Sequence, residues 1–536
     1  VPLERSELLA APAPGPVEGV LGDVLHRAAQ EGPEDVVLST PSTGETWTAA
    51  ELLADAQAVA AGLLRDLAPG SRIATCLGNG PEPVLLQLGV ALAGMTLVPV
   101  NPRSRPAELE HALRLSGAVR LYAAVDAGGN PAADHAAEAA PRLPALQGVR
   151  RCGDDWRASI ERAEPGVLPV VDPQTLAQVQ FTSGTTGRAK GVRITHSGMV
   201  ATGRAFADRL APAAGRVWMN PMPLFHTAGN VLGVVGALWA RAEHVVLPFA
   251  PAPVLRAMAD RRATLLSAAP TLLDLLAAHP DLPGTDLSAL QVLFTGGMTV
   301  TPAFVDRVES VFGARLSITF GMTETCGAVL MTAPTDPDRV RRETVGAPLA
   351  GTDVRIAGPD GSAVPPSVPG ELWVRGARIT RGYLDDPTAT AEAIDADGWL
   401  HTGDLAEMAD DGACRVVGRI KDMIKTGGEN VSPVEVEELL VRHPDVDRAA
   451  VVGVPDERWG ELVVAFVVPA GDRDPDPEAL AEFCRNGLSP FKVPRLWRVV
   501  DDLPMTASAK VQRAELRRMA AEDRPPSRAQ AAGTGP

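Results

Sequence analysis

The chain has 536 residues, enough for roughly three to four domain-sized units. Apolar residues make up 45% and charged residues 22%, which excludes a wholly disordered chain and a collagen-like repeat. A net charge of −16 opposes the approach of a phosphate backbone, so nucleic acid is excluded as a partner.

Read from its start, the chain lacks a basic segment followed by an apolar one, so no secretory leader is expected in residues 1–20. Ala11–Pro16 (APAPGP) is low in complexity and is expected to be disordered. Helical periodicity covers Ala49–Asp66, followed by a short apolar strand at Arg72–Leu77, a helix at Glu82–Leu92 and a strand at Thr96–Val100. The apolar run Val84–Val100 is broken by Gln87, Gly89, Gly94 and Pro99, so it predicts a buried helix entering a strand and no membrane span. Ala127–Ala145, rich in Ala and punctuated by Pro, reads as a surface segment. From about Val345 to Val417, short β-like runs (Asp353–Ile356, Glu371–Val374, Arg415–Val417) alternate with Gly, Pro and Asp turns. Beyond Gly418 the pattern is helix (Pro433–His443), strand (Arg448–Val454), strand (Leu462–Val468), helix (Pro477–Asn486) and strand (Leu496–Val500).

This order predicts an α/β fold. Residues 1–419 form a large N-terminal domain of mainly parallel sheets flanked by helices, with a β-rich subdomain at about 345–418. Residues 420–523 form a small α+β C-terminal domain, and 524–536 a disordered tail. The five cysteines are scattered with no metal spacing, which argues against zinc and a disulfide framework and for a reducing cytoplasm.

Of the 50 basic residues only five are Lys: Lys190, Lys421, Lys425, Lys492 and Lys510. A composition that has replaced nearly every lysine by arginine retains lysine where a compact ammonium, not a planar fork, is required. Four of the five fall in motifs. The most informative is Phe181–Gly191, FTSGTTGRAKG. Its hydroxyls and glycines can turn successive N–H groups into one anion nest, and Lys190 adds positive charge. It is not a Walker loop, because Ala189 and Gly191 stand where that motif needs Gly and Ser or Thr.

The string resembles the phosphate loop of the class I adenylate-forming superfamily, which comprises acyl-CoA synthetases, adenylation domains and luciferases. Its companions follow in order: FGMTE at Phe320–Glu324, GELWVRG at Gly370–Gly376, WLHTGDL at Trp399–Leu405, GRIKDMIKTGGENVSP at Gly418–Pro433 and PMTASAKVQR at Pro504–Arg513. The resemblance covers residues 40 to 515 and lies with the acyl-CoA ligase branch.

The resemblance implies roles. Thr182, Ser183, Gly184, Thr185, Thr186, Gly187 and Lys190 would hold phosphates. Gly296, Gly297, Phe320, Gly321, Thr323, Asp404 and Arg419 would bind the nucleotide, Asp404 and Arg419 at the ribose. Glu324 would hold Mg²⁺, and Lys510 would be the adenylation lysine. His226 would stand beside the substrate carboxylate, in an acyl pocket with Thr227, Asn230, Thr319 and Met322. Lys421 would be the hinge of a mobile C-terminal domain. Lys425, Gly427, Gly428 and Glu429 would serve the CoA thiol. No Asp follows Pro223–His226 (PLFH) to take an α-ammonium, which disfavours an amino acid, and Thr319 and Met322 suggest an apolar cavity with few polar handles, suited to a hydrophobic acid.

The implied activity is ATP-dependent acid–CoA ligation through acyl-AMP, with ATP, Mg²⁺ and coenzyme A as cofactors. A pantetheinylated carrier protein is an alternative acceptor, and monomer and homodimer are both open. Ala189 in place of a usual Pro, Phe320 in place of Tyr and Ala509 in place of Gly depart from the pattern. They keep two alternatives in view: a relative that only thiolates a pre-formed adenylate, and a non-catalytic nucleotide-binding relative.

Overall fold

The computed structural model describes residues 3–10, 19–153, 155–182, 189–210, 215–456, 458–505 and 511–522. The APAPGP segment, the 524–536 tail, residues Ser183 to Gly187 of the phosphate loop, Ala509 and Lys510 lie outside the described residues.

Local sequence sets the first elements. Thr48 caps the helix Ala49–Leu64, accepting from the Glu51 amide (3.2 Å) while Glu51 accepts from the Thr48 amide (2.8 Å). The next helix, Pro81–Leu92, is buried on nearly every face, as its largely apolar sequence requires. A side chain at Gly89 would lie 2.5 Å from Val59, so glycine lets these two helices approach closely.

A six-stranded sheet runs in the order Gly148–Cys152, Arg120–Ala124, Arg72–Cys76, Thr96–Pro99, Leu176–Phe181, Gly191–Thr195. Its pairs are parallel except the last, which is an antiparallel hairpin. A nine-stranded sheet runs Ala347–Pro348, Leu330–Met331, Arg315–Phe320, Val292–Gly296, Leu265–Ser267, Val217–Asn220, Glu243–Val246, Val36–Thr40, Glu45–Thr48. It is parallel through its centre and antiparallel at both margins. A third sheet takes Glu7–Leu8, Thr352–Ala357, Gly370–Gly376, Leu400–Met408 and Cys414–Arg419.

Ala127–Ala145 departs from the expectation of a surface segment. It contains the helix Ala132–Ala139, whose Ala132, Ala133, Ala136 and Ala139 are buried in a core cluster with Leu143. Alanines spaced three and four apart make one small apolar face, which a reading by composition takes for a surface segment.

The chain divides into two compact units. One comprises Val1–Ile356, Trp373–Thr402 and Met408–Arg415; the other comprises Ala357–Leu372, Gly403–Glu407 and Val416–Pro536. In the second, Glu429–Val431, Ile424–Thr426, Gly460–Pro469 and Val446–Asp456 form an antiparallel sheet, and Leu496–Val499 joins Gly460–Pro469 in parallel. The helices Pro433–Leu440, Pro477–Gly487 and Arg513–Glu522 bury Val436, Cys484 and Leu516 into its small apolar clusters.

Candidate active site

In the larger unit the phosphate-loop motif joins the two strands of the hairpin. Phe181 pairs with Gly191, and the Thr182 amide donates to the Lys190 carbonyl at 3.0 Å. The described ends of the loop are thus fixed. His111 Nε2 lies 3.0 Å from the Ala189 carbonyl. A side chain at Gly191 would be 3.0 Å from Val179, and the Leu384 amide donates to the Gly191 carbonyl at 2.7 Å.

The Gly296 and FGMTE segments meet on adjacent strands. Gly296 pairs with Thr319, and a Cβ on Gly296 would stand 2.6 Å from the Thr319 carbonyl. Gly297 has φ +82°, a conformation for which glycine is suited. Phe320 ends its strand half-buried, and a Cβ on Gly321 would meet the Gly327 carbonyl at 2.3 Å. The chain therefore doubles back within Phe320–Gly327. Thr325 Oγ1 accepts from the Met322 amide at 2.9 Å and closes a 3₁₀ turn over Thr323–Thr325.

That turn places Glu324 in the interior, only 7% exposed. Its carbonyl accepts from the Thr380 amide at 2.8 Å. Its Oε1 accepts from the Tyr383 hydroxyl at 2.8 Å. Lys190 Nζ sits 4.7 Å from the centroid of the Tyr383 ring. Burial and the Glu324 charge push the Tyr383 phenol above its ordinary value, so it stays a neutral donor. The structure brings Lys190 and Glu324 together through Tyr383, a residue the motif reading missed. A signal was present: the chain contains only two tyrosines.

A metal at Glu324 is chemically reasonable. The donor is a hard carboxylate, and Glu324 Oε2 accepts no hydrogen bond from the described residues. No group of three or more His, Cys, Asp or Glu among the described residues could hold a metal alone.

His226 is half-buried at the start of the π-helix Ala228–Val235. The Ala228 amide donates to His226 Nδ1 at 3.3 Å. Asn220 Nδ2 donates to the Gly229 carbonyl at 3.3 Å and lies 2.9 Å from His244 Nε2. Burial lowers His244 to about 3, so that ring is neutral and can accept. A side chain at Gly233 would lie 2.1 Å from Asn220 Nδ2, so glycine leaves room for this anchor. Thr227 and Asn230 are buried, and Thr227 Oγ1 and Asn230 Oδ1 have no partner among the described residues. Thr319 Oγ1 is engaged by the Leu330 carbonyl at 2.8 Å, and Met322 is half-buried. A surface cavity of about 350 Å³ lined by Arg256, Asp281 and Thr285, among others, contains none of these residues.

In the smaller unit, Asp404 is 3% exposed and forms a two-point pair with Arg419, Nε to Oδ1 at 2.8 Å and Nη2 to Oδ2 at 3.3 Å. Lys421 lies in the 3₁₀ turn Ile420–Asp422. Reduced hydration, then the like charge of Arg419, lower its ammonium from the ordinary value. Ile424–Thr426 and Glu429–Val431 form a tight hairpin in which Thr426 pairs with Glu429. Gly427 (φ +60°) and Gly428 (φ +87°) fill its two turn positions, as a turn with both central residues at positive φ demands. The Gly427 amide donates to the Trp459 carbonyl at 2.7 Å, and the Lys425 amide to Glu461 at 2.7 Å. Trp459 is flanked by the guanidiniums of Arg495 and Arg458, 3.9 and 5.0 Å from its ring. Sequence reading missed all three. Lys492, the lysine outside the motif windows, pairs with Glu435 at 2.6 Å.

Comparison with known proteins is consistent with this geometry. The family model described as AMP-binding enzyme matches residues 25–384, and that of the AMP-binding enzyme C-terminal domain matches 435–510. A feruloyl-CoA synthase of Amycolatopsis sp is 38% identical over 512 residues, 93% of this chain and 98% of that protein. Among solved structures, ATP-bound MatB from Rhodopseudomonas palustris superposes with a TM-score of 0.84 at 28% identity, covering 93% of this chain and 98% of that one. The anthranilate CoA ligase AuaEII in complex with anthranoyl-AMP gives 0.84 at 25% identity, covering 95% and 99%.

Proposed function

The chain belongs to the AMP-binding enzymes and is an ATP-dependent acid–CoA ligase acting through acyl-AMP, and from that premise we propose how its residues divide the work. The observation that carries the proposal is the convergence of Lys190 and the buried Glu324 on Tyr383 at the end of the phosphate-loop hairpin.

In the first half-reaction a carboxylate oxygen of the acid attacks the α-phosphorus of ATP. The new P–O bond forms as the bond to the β-phosphate oxygen breaks and pyrophosphate leaves. Lys190 and the hydroxyls of the loop hold the phosphates. Glu324 would hold Mg²⁺, which when bound supplies charge that screens the phosphate oxygens. Lys510 stabilises negative charge growing on the transferring oxygens. Asp404, neutralised by Arg419, offers hydrogen-bond acceptors to neutral ribose hydroxyls. His226 stands beside the acid's carboxylate.

In the second half-reaction the CoA sulfur attacks the acyl carbonyl, the C–S bond forms, and AMP leaves as the C–O bond breaks. The Gly427–Gly428 turn presents bare backbone to a slender pantetheine arm. The guanidiniums of Arg458 and Arg495 beside Trp459 suit the phosphates of CoA. Lys421 is the hinge on which the enzyme changes between the two half-reactions. The acid is a hydrophobic one, medium-chain, aromatic or polycyclic. Two features support this: Thr319 spends its hydroxyl on the backbone, and the PLFH segment carries no acid for an ammonium.

No described helix is long and apolar enough to cross a membrane. A cytoplasmic site of action is supported by five buried cysteines that are all free thiols. The test is a panel of carboxylic acids with ATP, Mg²⁺ and CoA, read by mass spectrometry for acyl-CoA and AMP. Acyl-CoA formed together with equimolar AMP supports the reading; a panel with no AMP and no acyl-CoA refutes it.

A further inference from the structure

Tyr383 is held in register with the hairpin that carries the phosphate loop. It forms an antiparallel bridge with Val192. The Arg193 amide donates to the Gly382 carbonyl at 3.0 Å, and the Tyr383 amide donates to Thr390 Oγ1 at 3.0 Å. A Cβ on Gly382, at φ +91°, would lie 2.3 Å from Thr390, so the backbone before the ring is fixed by close packing. From this fixed base the side chain does two different things. Its hydroxyl donates to Glu324 Oε1 at 2.8 Å, and its ring lies 4.7 Å from Lys190 Nζ. A π face attracts an ammonium, and a neutral hydroxyl fixes a carboxylate without cancelling its charge. Tyrosine supplies both; phenylalanine supplies only the first.

We propose that Tyr383 is a positioning residue that sets the phosphate-loop lysine with its ring and the metal-side carboxylate with its hydroxyl. The proposal rests on the adenylation reading above. Its consequence is that metal response and metal-free nucleotide affinity are governed by different parts of one side chain.

Calorimetric titration of the full chain with α,β-methylene-ATP, first in EDTA and then at rising Mg²⁺, separates the two. In Tyr383→Phe the metal-free affinity stays within about twofold of the parent, because the ring remains for Lys190. The Mg²⁺ concentration that gives half of the affinity gain rises about tenfold, because Glu324 has lost its anchor. In Tyr383→Leu the same Mg²⁺ shift is joined by a metal-free affinity about fivefold weaker, because Lys190 is no longer held in one rotamer. Steady-state rates give a parallel split: Tyr383→Phe raises KM for MgATP while kcat at saturating Mg²⁺ stays within about threefold. An unchanged Mg²⁺ midpoint in Tyr383→Phe overturns the proposal, and this variant decides it even where Tyr383→Leu does not fold. Equal losses of metal-free affinity in both variants also overturn it. A parent chain that binds no nucleotide would refute the adenylation reading itself, an outcome distinct from an unshifted midpoint in a chain that binds.

Discussion

Glu324 and Asp404 are both buried carboxylates, yet Glu324 is held by the neutral hydroxyl of Tyr383 and Asp404 by the guanidinium of Arg419. A neutral donor brings no opposing charge to Glu324, which suits the cation-holding role proposed for it. The guanidinium largely cancels the charge on Asp404, which leaves oxygen acceptors suited to uncharged hydroxyls. The same functional group thus has neighbours of different charge in the two places, which is the basis for the two different roles proposed. A second contrast concerns backbone. The larger unit uses glycine both where backbone segments crowd, at Gly191, Gly296 and Gly321, and where φ is positive, at Gly297 and Gly382. The TGGE hairpin of the smaller unit uses glycine where φ must be positive, at Gly427 and Gly428.

The largest effect is expected at Lys510. Lys510→Ala should slow adenylation by about 100- to 1000-fold while thiolation of a synthetic acyl-AMP stays within a few-fold of the parent. Lys510→Arg should behave much like the alanine variant, because a planar fork does not replace a compact ammonium. Stopped assays of the two half-reactions check both.

Glu324→Gln removes the charge but keeps an acceptor for Tyr383. Adenylation should fall about 10- to 100-fold, with a higher Mg²⁺ requirement. Asp404→Asn breaks a charged pair and leaves Arg419 opposite an amide. It should raise KM for ATP about tenfold with no change in Mg²⁺ requirement. If the two variants responded alike to Mg²⁺, the contrast between the carboxylates would collapse.

Gly427→Ala places a Cβ at φ +60° and 3.2 Å from the Trp459 ring. Turn strain of about 1 kcal/mol should lower the thiolation rate about fivefold and leave pyrophosphate release from acid and ATP unchanged. A loss in both half-reactions would mean that the hairpin serves general stability.

Much of this was legible in the residues because both glycine classes and the rare lysines leave marks in sequence. The motif order singled out Glu324, Asp404, Arg419 and the TGG turn, and the helical and apolar patterns anticipated elements such as Ala49–Leu64, Arg72–Cys76, Pro81–Leu92 and Thr96–Pro99. What was not legible arises from contacts between distant segments. Tyr383 reaches Glu324 across 59 positions, and nothing near either residue announces the pairing. The rarity argument used for lysine applies equally to tyrosine, since both tyrosines of the chain donate to a buried or half-buried carboxylate, Tyr122 to Glu161 and Tyr383 to Glu324. The Ala132–Ala139 helix was missed for another reason: alanine is scored as weakly apolar, yet four alanines on one face pack a core. Trp459 and its two arginines were missed because Arg495 lies 36 positions beyond the tryptophan it covers.

The central claim is that the acid is activated before CoA takes part. Exchange of labelled pyrophosphate into ATP, with acid and Mg²⁺ present and CoA absent, tests it directly. The account predicts exchange that requires the acid, proceeds without CoA and disappears in Lys510→Ala. Acyl-CoA synthesis in the complete mixture with no acid-dependent exchange in the absence of CoA would contradict it.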